Sequence, residues 1–191
     1  INRTTPRLAG GPMNPSAAER HCYPMAPLIR CTLLLLYLAL VLPLPALAPD
    51  GLRLWLLMMV PLGLVLVLAM VSERVELDGE GLRVGPAPWC AWLLRRGWQL
   101  QWGEVKALVP VGTSQGGRVY YVRTGQKAHL LPQRVENFED FLGRFSRNSG
   151  IDTSGVQRLT PPWTYKLLAA SSGLMLAAEL LVGGVRFSRG L

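Results

Sequence analysis

Histidines and cysteines, the side chains that most often hold metals or act as nucleophiles, are few and scattered in this sequence. The histidines are His21 and His129, and the cysteines are Cys22, Cys31 and Cys90. No CxxC pair is present, and no histidine stands at the spacing of a shared zinc site. A phosphate-binding loop, a dinucleotide fingerprint and a nucleophile elbow are also missing. The sequence therefore predicts no catalytic residue, no cofactor, no metal ligand and no enzymatic activity.

One carboxylate is informative because of its surroundings. Glu179 is the single charged residue in the apolar run 167–185, where a carboxylate is costly unless it faces protein or water. Ser172 comes seven residues earlier and so lies on the same face of a helix. Two interpretations stay open. Either Glu179 bonds across a helix–helix contact, with Arg53 as its predicted partner, or it extends toward Arg186 or binds a proton.

Small residues occupy a neighbouring face of the same run. Ala169, Gly173 and Ala177 recur at intervals of four residues, and such a stripe permits two helices to approach closely. Together with Glu179, the stripe predicts a helix that docks against other helices.

Aromatic and basic side chains are concentrated in the middle of the chain. The members of this cluster are Trp89, Trp92, Arg95, Arg96, Trp98 and Trp102. Tryptophan with arginine is typical of the lipid headgroup region, and also resembles a surface that stacks nucleic-acid bases. Because the cluster follows an apolar run, we favour a membrane-skimming or partner-contacting loop over a domain core and rim, and expect no nucleic acid.

The elements that position these residues begin with three apolar runs. Half of the 191 residues are hydrophobic and 17% are charged, and the hydrophobic residues are concentrated at 31–47, 54–71 and 167–185. Each run is long enough for a helix to cross the roughly 30 Å of a bilayer's hydrocarbon. The pattern predicts a transmembrane hairpin over 28–71 and a third transmembrane helix over 163–185. A cleaved signal peptide remains an alternative for the first run.

The charges predict an orientation. The net charge is +8, and residues 72–166 carry 13 Lys and Arg against nine acids. Basic segments stay on the cytoplasmic side of a membrane, so this segment and the basic tail at 1–27, which we expect to be mobile, share that side. A short tail, 186–191, follows the last helix.

Residues 72–160 read as a small domain. Short alternating segments predict five to seven strands. Phe138, Phe141, Leu142 and Phe145 then recur at helical spacing. The predicted fold class is membrane α plus α+β: a transmembrane hairpin, a PH-like β-barrel or sandwich with a C-terminal capping helix, and a third transmembrane helix.

This order resembles the bacterial PH-like domains of small membrane proteins. The matching passages are EGLRV at 80–84, WGEVKAL at 102–108 and LLPQRVENFEDFLGRF at 130–145. The layout, with GIDTSGVQRLTPPW at 150–163, is similar to uncharacterised cyanobacterial three-helix membrane proteins. In outline it also resembles the photosystem I assembly factors that have a helix hairpin and a PH-like domain, although these lack the third helix. The resemblance implies a bacterial inner membrane or a thylakoid membrane, with the domain on the cytoplasmic or stromal side.

Two functions follow as expectations. The first is a non-enzymatic accessory subunit or assembly factor of a larger membrane complex, photosynthetic if the resemblance holds. Its partners would be membrane lipids and helices of that complex, with pigment contacts left open. The second is a membrane-anchored PH-like module that binds lipid headgroups or a small ligand, with Arg83, Arg95 and Arg96 as candidate residues.

Overall fold

The computed structural model of the protein describes residues 20–94, 97–114, 116–158 and 161–189. These residues form short strands and helices, together with single 3-10 turns at Pro88–Cys90 and Trp102–Glu104. In chain order the elements are β1 (His21–Pro24), α1 (Pro27–Val41), α2 (Leu44–Leu47), α3 (Asp50–Met70), β2 (Arg74–Leu77), β3 (Gly81–Gly85), β4 (Trp98–Gln101), β5 (Ala107–Gly112), β6 (Arg118–Arg123), β7 (Ala128–Leu130), α4 (Phe138–Ser149) and α5 (Pro162–Arg189).

Three stretches of helix are long and apolar enough to cross a membrane, as the sequence predicts. They are Pro27–Leu47, Asp50–Met70 and Pro162–Val185. The first is interrupted between α1 and α2, because Pro43 and Pro45 have no N–H group with which to continue the helical hydrogen bonds. α3 continues through Pro61 without a break.

The strands form two antiparallel sheets. One has the order β1-β2-β3-β4 and the other β5-β6-β7. A single core takes side chains from both sheets and from α4, whose Phe138, Phe141 and Phe145 are fully buried. The helix predicted from the spacing of these phenylalanines is therefore confirmed. The predicted PH-like β-barrel is not confirmed. Within the described residues neither sheet closes on itself, and β4 and β5 belong to different sheets.

The start of the described chain differs from the expected tail. Residues 21–24, which the composition assigns to a mobile segment, form the edge strand β1 and pair with β2. Tyr23 is buried in the core, and this burial together with the strand pairing holds the segment in place. The small domain therefore begins before residue 72. Residues 1–19 of the predicted tail lie outside the described residues.

A polar network also ties β1 to α4. The Tyr23 hydroxyl donates a hydrogen bond to Asp140 Oδ2 at 2.5 Å, and Arg144 Nε donates to the same oxygen at 3.0 Å. Burial, followed by the hydrogen bond to Asp140, raises the pKa of Tyr23 to about 12. The Tyr23 hydroxyl and then the Arg144 guanidinium hold the pKa of Asp140 below its ordinary value. The network thus favours a neutral tyrosine bonded to an ionised aspartate.

The helical hairpin α1–α3 is inserted between the neighbouring strands β1 and β2. The amide of Met25 donates to the carbonyl of Glu73 at 3.2 Å, and the amide of Ala26 donates to the carbonyl of Arg134 at 2.8 Å. Both ends of the hairpin are therefore bonded to the domain. At the same ends of the hairpin, a second, smaller apolar cluster is formed by Met25, Ile29 and Val71, and Tyr165 of α5 packs against it.

Candidate functional site

The seam between α1 and α5 is the largest contact among the helices. Buried and half-buried residues of α5 recur along it at alternating steps of four and three, at Tyr165, Ala169, Ser172, Leu176 and Glu179. That spacing is typical of two helices packed side by side with a small crossing angle. Both helices begin at the domain, so they run parallel.

Hydrogen bonding fixes the domain end of this seam. Thr32 Oγ1 donates to the carbonyl of Leu28 at 2.7 Å and lies 3.2 Å from the carbonyl oxygen of Tyr165. The Thr32 side chain is 1% exposed, so a polar group is placed where two helix backbones meet. The contact fixes which turn of α5 faces which turn of α1.

The structure places the predicted docking residues of α5 on two faces. Ser172 is buried and Glu179 half-buried on the α1 side, together with Ala169 and Gly173. Ala177 is exposed, so the predicted stripe does not form the seam within the chain. A Cβ added at Gly173 would meet nothing within 4 Å. Ala177 lies outside the seam because the seam residues are spaced 3.5 residues apart on average, and a stripe of strict four-residue spacing turns away from that line.

Glu179 carries the one buried side-chain oxygen without a hydrogen-bond partner in the described part of the chain, Oε2. The predicted pairing with Arg53 is wrong within a single chain. α5 packs along α1, whereas Arg53 lies on α3, which packs against α1 and α2. Its side chain is exposed, and no hydrogen bond or ion pair involving Arg53 occurs among the described residues.

A close helix contact that the sequence did not reveal joins α1 to α3. The Tyr37 hydroxyl donates to the carbonyl of Val60 at 2.6 Å. A Cβ at Gly63 would collide with that hydroxyl, so a larger residue there would have to displace the Tyr37 side chain. An isolated glycine and a tyrosine in two separate apolar runs give no signal that they meet.

A loop that carries exposed tryptophans is fastened to the domain end of α3. Cys90 is buried, and its Sγ lies 2.9 Å from Ser72 Oγ. Ser72 Oγ in turn donates to the carbonyl of Ala69 at 2.6 Å. Trp89 and Trp92, on the same loop, are 54% and 76% exposed. The loop is thus held at the level where α3 enters the domain, with both indole rings directed outward.

The other two tryptophans of the predicted cluster belong to the domain. Trp98 stacks on His129 with 4.8 Å between ring centroids. Trp102 packs edge-on against Phe145 and donates its Nε1–H to the carbonyl of Asp78 at 2.9 Å. Both are partly buried and pack against the core, which agrees with the core-and-rim interpretation, and Trp98 also lines a cleft at the surface of the domain. The predicted contact residues Arg95 and Arg96 lie outside the described residues.

A cleft of about 550 Å³ lies between the loop that carries Trp89 and Trp92 and the outer face of the four-stranded sheet. Arg74, Glu76 and Arg83 line its sheet side, and Pro88 and Leu94 line its loop side. Arg74 forms an ion pair with Glu76 at 2.9 Å, and Arg83 is exposed. The cleft therefore presents the exposed Arg83 and the paired Arg74 opposite the loop that carries Trp89 and Trp92.

Within the described residues, no group of three or more metal-binding side chains comes together. The features described above are one polar group at a helix seam, one loop with exposed tryptophans and one cleft lined by arginines.

The fold and these surfaces define a class of protein in which three apolar helices of membrane-spanning length are joined to a small domain of two sheets. No family model matches the chain, and no solved structure matches it. It is similar to slr0269, an uncharacterised protein of Synechocystis sp., with 43% identity over 171 residues, which cover 86% of this chain and 86% of that protein. The chain belongs to the family of this cyanobacterial protein.

Proposed function

We propose that this chain is a non-enzymatic integral membrane protein that acts as an accessory subunit or assembly factor of a larger membrane complex. In this proposal the three apolar helices span the bacterial inner membrane or the thylakoid membrane. The domain and β1 lie on the cytoplasmic or stromal side, as the excess of lysine and arginine in the domain supports. A photosynthetic complex is proposed only because of the cyanobacterial relative and the outline of the fold.

The observation that carries this proposal is the buried, unpartnered oxygen of Glu179. In hydrocarbon no water is present to satisfy a carboxylate, so such groups face protein or a water-filled cavity. The Glu179 side chain as a whole is only partly buried, so a group from another polypeptide can approach its exposed part. Hydrogen bonds between helices hold many membrane complexes together in this way.

The proposal is tested by purifying the tagged full-length chain in mild detergent and identifying the proteins that come with it. We compare the wild type with Glu179→Leu and with Glu179→Gln, which keeps hydrogen-bonding capacity. Leu180→Ala is the matched control, because Leu180 is exposed on the same turn. We expect the Leu variant to lose its co-purifying proteins while the Gln and control variants keep them. A wild-type protein that emerges alone would refute the proposal.

A second candidate function is the binding of anionic lipid headgroups. The observation that favours it is the basic cleft beside the exposed Trp89 and Trp92. Indole rings prefer the membrane–water interface, and guanidinium groups form strong, paired hydrogen bonds with phosphate. A lipid held there would place its acyl chains next to the domain end of α3.

Lipid binding is tested with the full-length chain in nanodiscs that contain a minor fraction of anionic lipid. Native mass spectrometry counts the anionic lipids retained by the wild type and by Arg83→Gln. Arg123→Gln, on the exposed surface of the other sheet, is the matched control. We expect retention to fall for Arg83→Gln alone and to weaken with added salt. Equal retention by all three proteins would exclude the cleft as the site.

A further inference from the structure

Two opposite charges lie in the apolar helices at nearly the same depth. The depth is set by two contacts of α1: Thr32 with the carbonyl of Tyr165, and Tyr37 with the carbonyl of Val60. α1 and α5 run parallel, because both leave the domain, whereas α3 runs back toward it. Each contact therefore marks one position on α1 that is level with one position on a neighbouring helix.

Counting along the helices from these contacts gives the depth of Arg53. Tyr37 is five residues beyond Thr32 within α1, so Tyr37 and its contact Val60 are level with Ala170, which is five residues beyond Tyr165. Arg53 lies seven residues from Val60 along α3, away from the domain, and seven residues beyond Ala170 is Ala177. Arg53 is thus level with a point two residues from Glu179, a difference of about 3 Å in depth. An arginine side chain spans that distance easily.

These two charges do not meet in one chain, although their depths match. α5 packs along α1, and α3 packs against α1 and α2. Within the described residues Arg53 has no hydrogen bond or ion pair, and Glu179 Oε2 has no hydrogen-bond partner. An unpaired arginine and an unpaired glutamate inside hydrocarbon are both costly, and pairing removes much of the cost for both.

We propose that Arg53 and Glu179 pair between two copies of this chain, with α3 of each copy lying against α5 of the other. A twofold axis parallel to the helices generates this arrangement, because a twofold interface is self-complementary and uses each pair twice. The dimer therefore contains two identical ion pairs. The proposed function requires that α5 docks against another polypeptide, and this inference, which rests on it, identifies that polypeptide as a second copy.

The test is a set of charge exchanges in the full-length protein reconstituted in liposomes. Donor and acceptor dyes are placed on the exposed Cys22 in a Cys31→Ala background, in which the buried Cys90 stays unlabelled. Energy transfer at increasing dilution in lipid gives the dissociation constant of the dimer. The variants are Arg53→Glu, Glu179→Arg and the double exchange that carries both. Asp50→Lys is the control for charge reversal at the same end of α3, and Arg53→Lys is the conservative control.

We expect each single exchange to raise the dissociation constant about 30-fold, because it breaks two intermolecular pairs at roughly 1 kcal/mol each. The double exchange restores both pairs with reversed polarity, so its constant returns to within about threefold of the wild type. The restored dimer also shows that the variant chains still fold and insert. Asp50→Lys and Arg53→Lys should dimerise as the wild type does.

A wild type that stays monomeric, or a double exchange that dimerises no better than either single exchange, would overturn the inference. These outcomes are distinct from failure of the proposed function. A monomeric wild type that still brings a larger complex with it in mild detergent contradicts the dimer alone. A monomeric wild type that also emerges without partners contradicts both.

Discussion

Replacing Tyr23 by alanine should detach β1 from the domain while the remaining strands stay folded. The Tyr23 ring is buried in the core and packs edge-on against Phe141, with 5.6 Å between ring centroids. Its neighbours along the strand, Cys22 and Pro24, are less buried. Tyr23 is therefore the main apolar anchor of a strand of only four residues.

The size of the effect follows from the burial of the ring. Tyr23 is 5% exposed, and truncating a buried aromatic side chain to alanine costs about 3–5 kcal/mol. If that cost falls on local opening of β1, the opening equilibrium rises roughly 150- to 4,000-fold. Local opening of an edge strand does not require the rest of the core to unfold, so the other strands keep their protection.

Hydrogen exchange followed by mass spectrometry measures this opening directly. The reporting amides are those of Met25, Ala26 and Glu136, whose hydrogen bonds join β1 and the start of α1 to the domain. In Tyr23→Ala we expect their exchange to accelerate by the factor given above. Tyr121→Ala, which truncates a half-buried tyrosine of the other sheet, should leave them unchanged. Unchanged exchange in a folded Tyr23→Ala protein would refute the role assigned to the ring.

Three further predictions concern other contacts. Gly63→Ala should lower the melting temperature in the wild type but much less in a Tyr37→Phe background, because the added Cβ collides with the Tyr37 hydroxyl; equal losses in both backgrounds would contradict the collision. A membrane-impermeant maleimide added on the side of the domain should label the exposed Cys22 rapidly and the buried Cys90 only after unfolding, and labelling of Cys22 from the opposite side would reverse the proposed orientation. Phenolate absorbance should show one tyrosine titrating near pH 12 that is missing in Tyr23→Phe. Because the pKa of Tyr23 is raised to about 12, the stabilisation from its neutral hydroxyl is complete below about pH 10 and is lost as the pH rises through 12. A titration curve that Tyr23→Phe leaves unchanged would exclude this shift of the Tyr23 pKa.

The features that the sequence predicts well are those written in long, uniform patterns. An apolar run of about 20 residues needs no partner to be recognised, and the three helices appear where composition places them. The helix over Phe138–Ser149 also follows from spacing, because one of its faces is apolar and the opposite face is charged. In both cases the information is local, so tertiary contacts do not change the outcome.

The features that were missed depend on contacts between distant parts of the chain. β1 has four residues, too few for a periodic signal, and its partner strand lies beyond the helical hairpin. Trp98 and Trp102 have the same residue type as Trp89 and Trp92, and only packing separates the first pair from the second. Which helix faces Glu179 depends on the order in which three similar helices pack, and hydrophobicity does not encode that order.

The insertion of the hairpin between β1 and β2 couples the two halves of the molecule during biosynthesis. β1 leaves the ribosome first, but the strand beside which it lies follows only after residues 27–70 have been made. The four-stranded sheet therefore cannot be completed until the whole hairpin has been made. Under the proposed membrane topology, a chain whose hairpin fails to insert would keep an open strand edge at Arg74–Leu77, the kind of surface that chaperones and proteases recognise. On that proposal, the pairing of β1 with β2 would make completion of the sheet depend on membrane insertion.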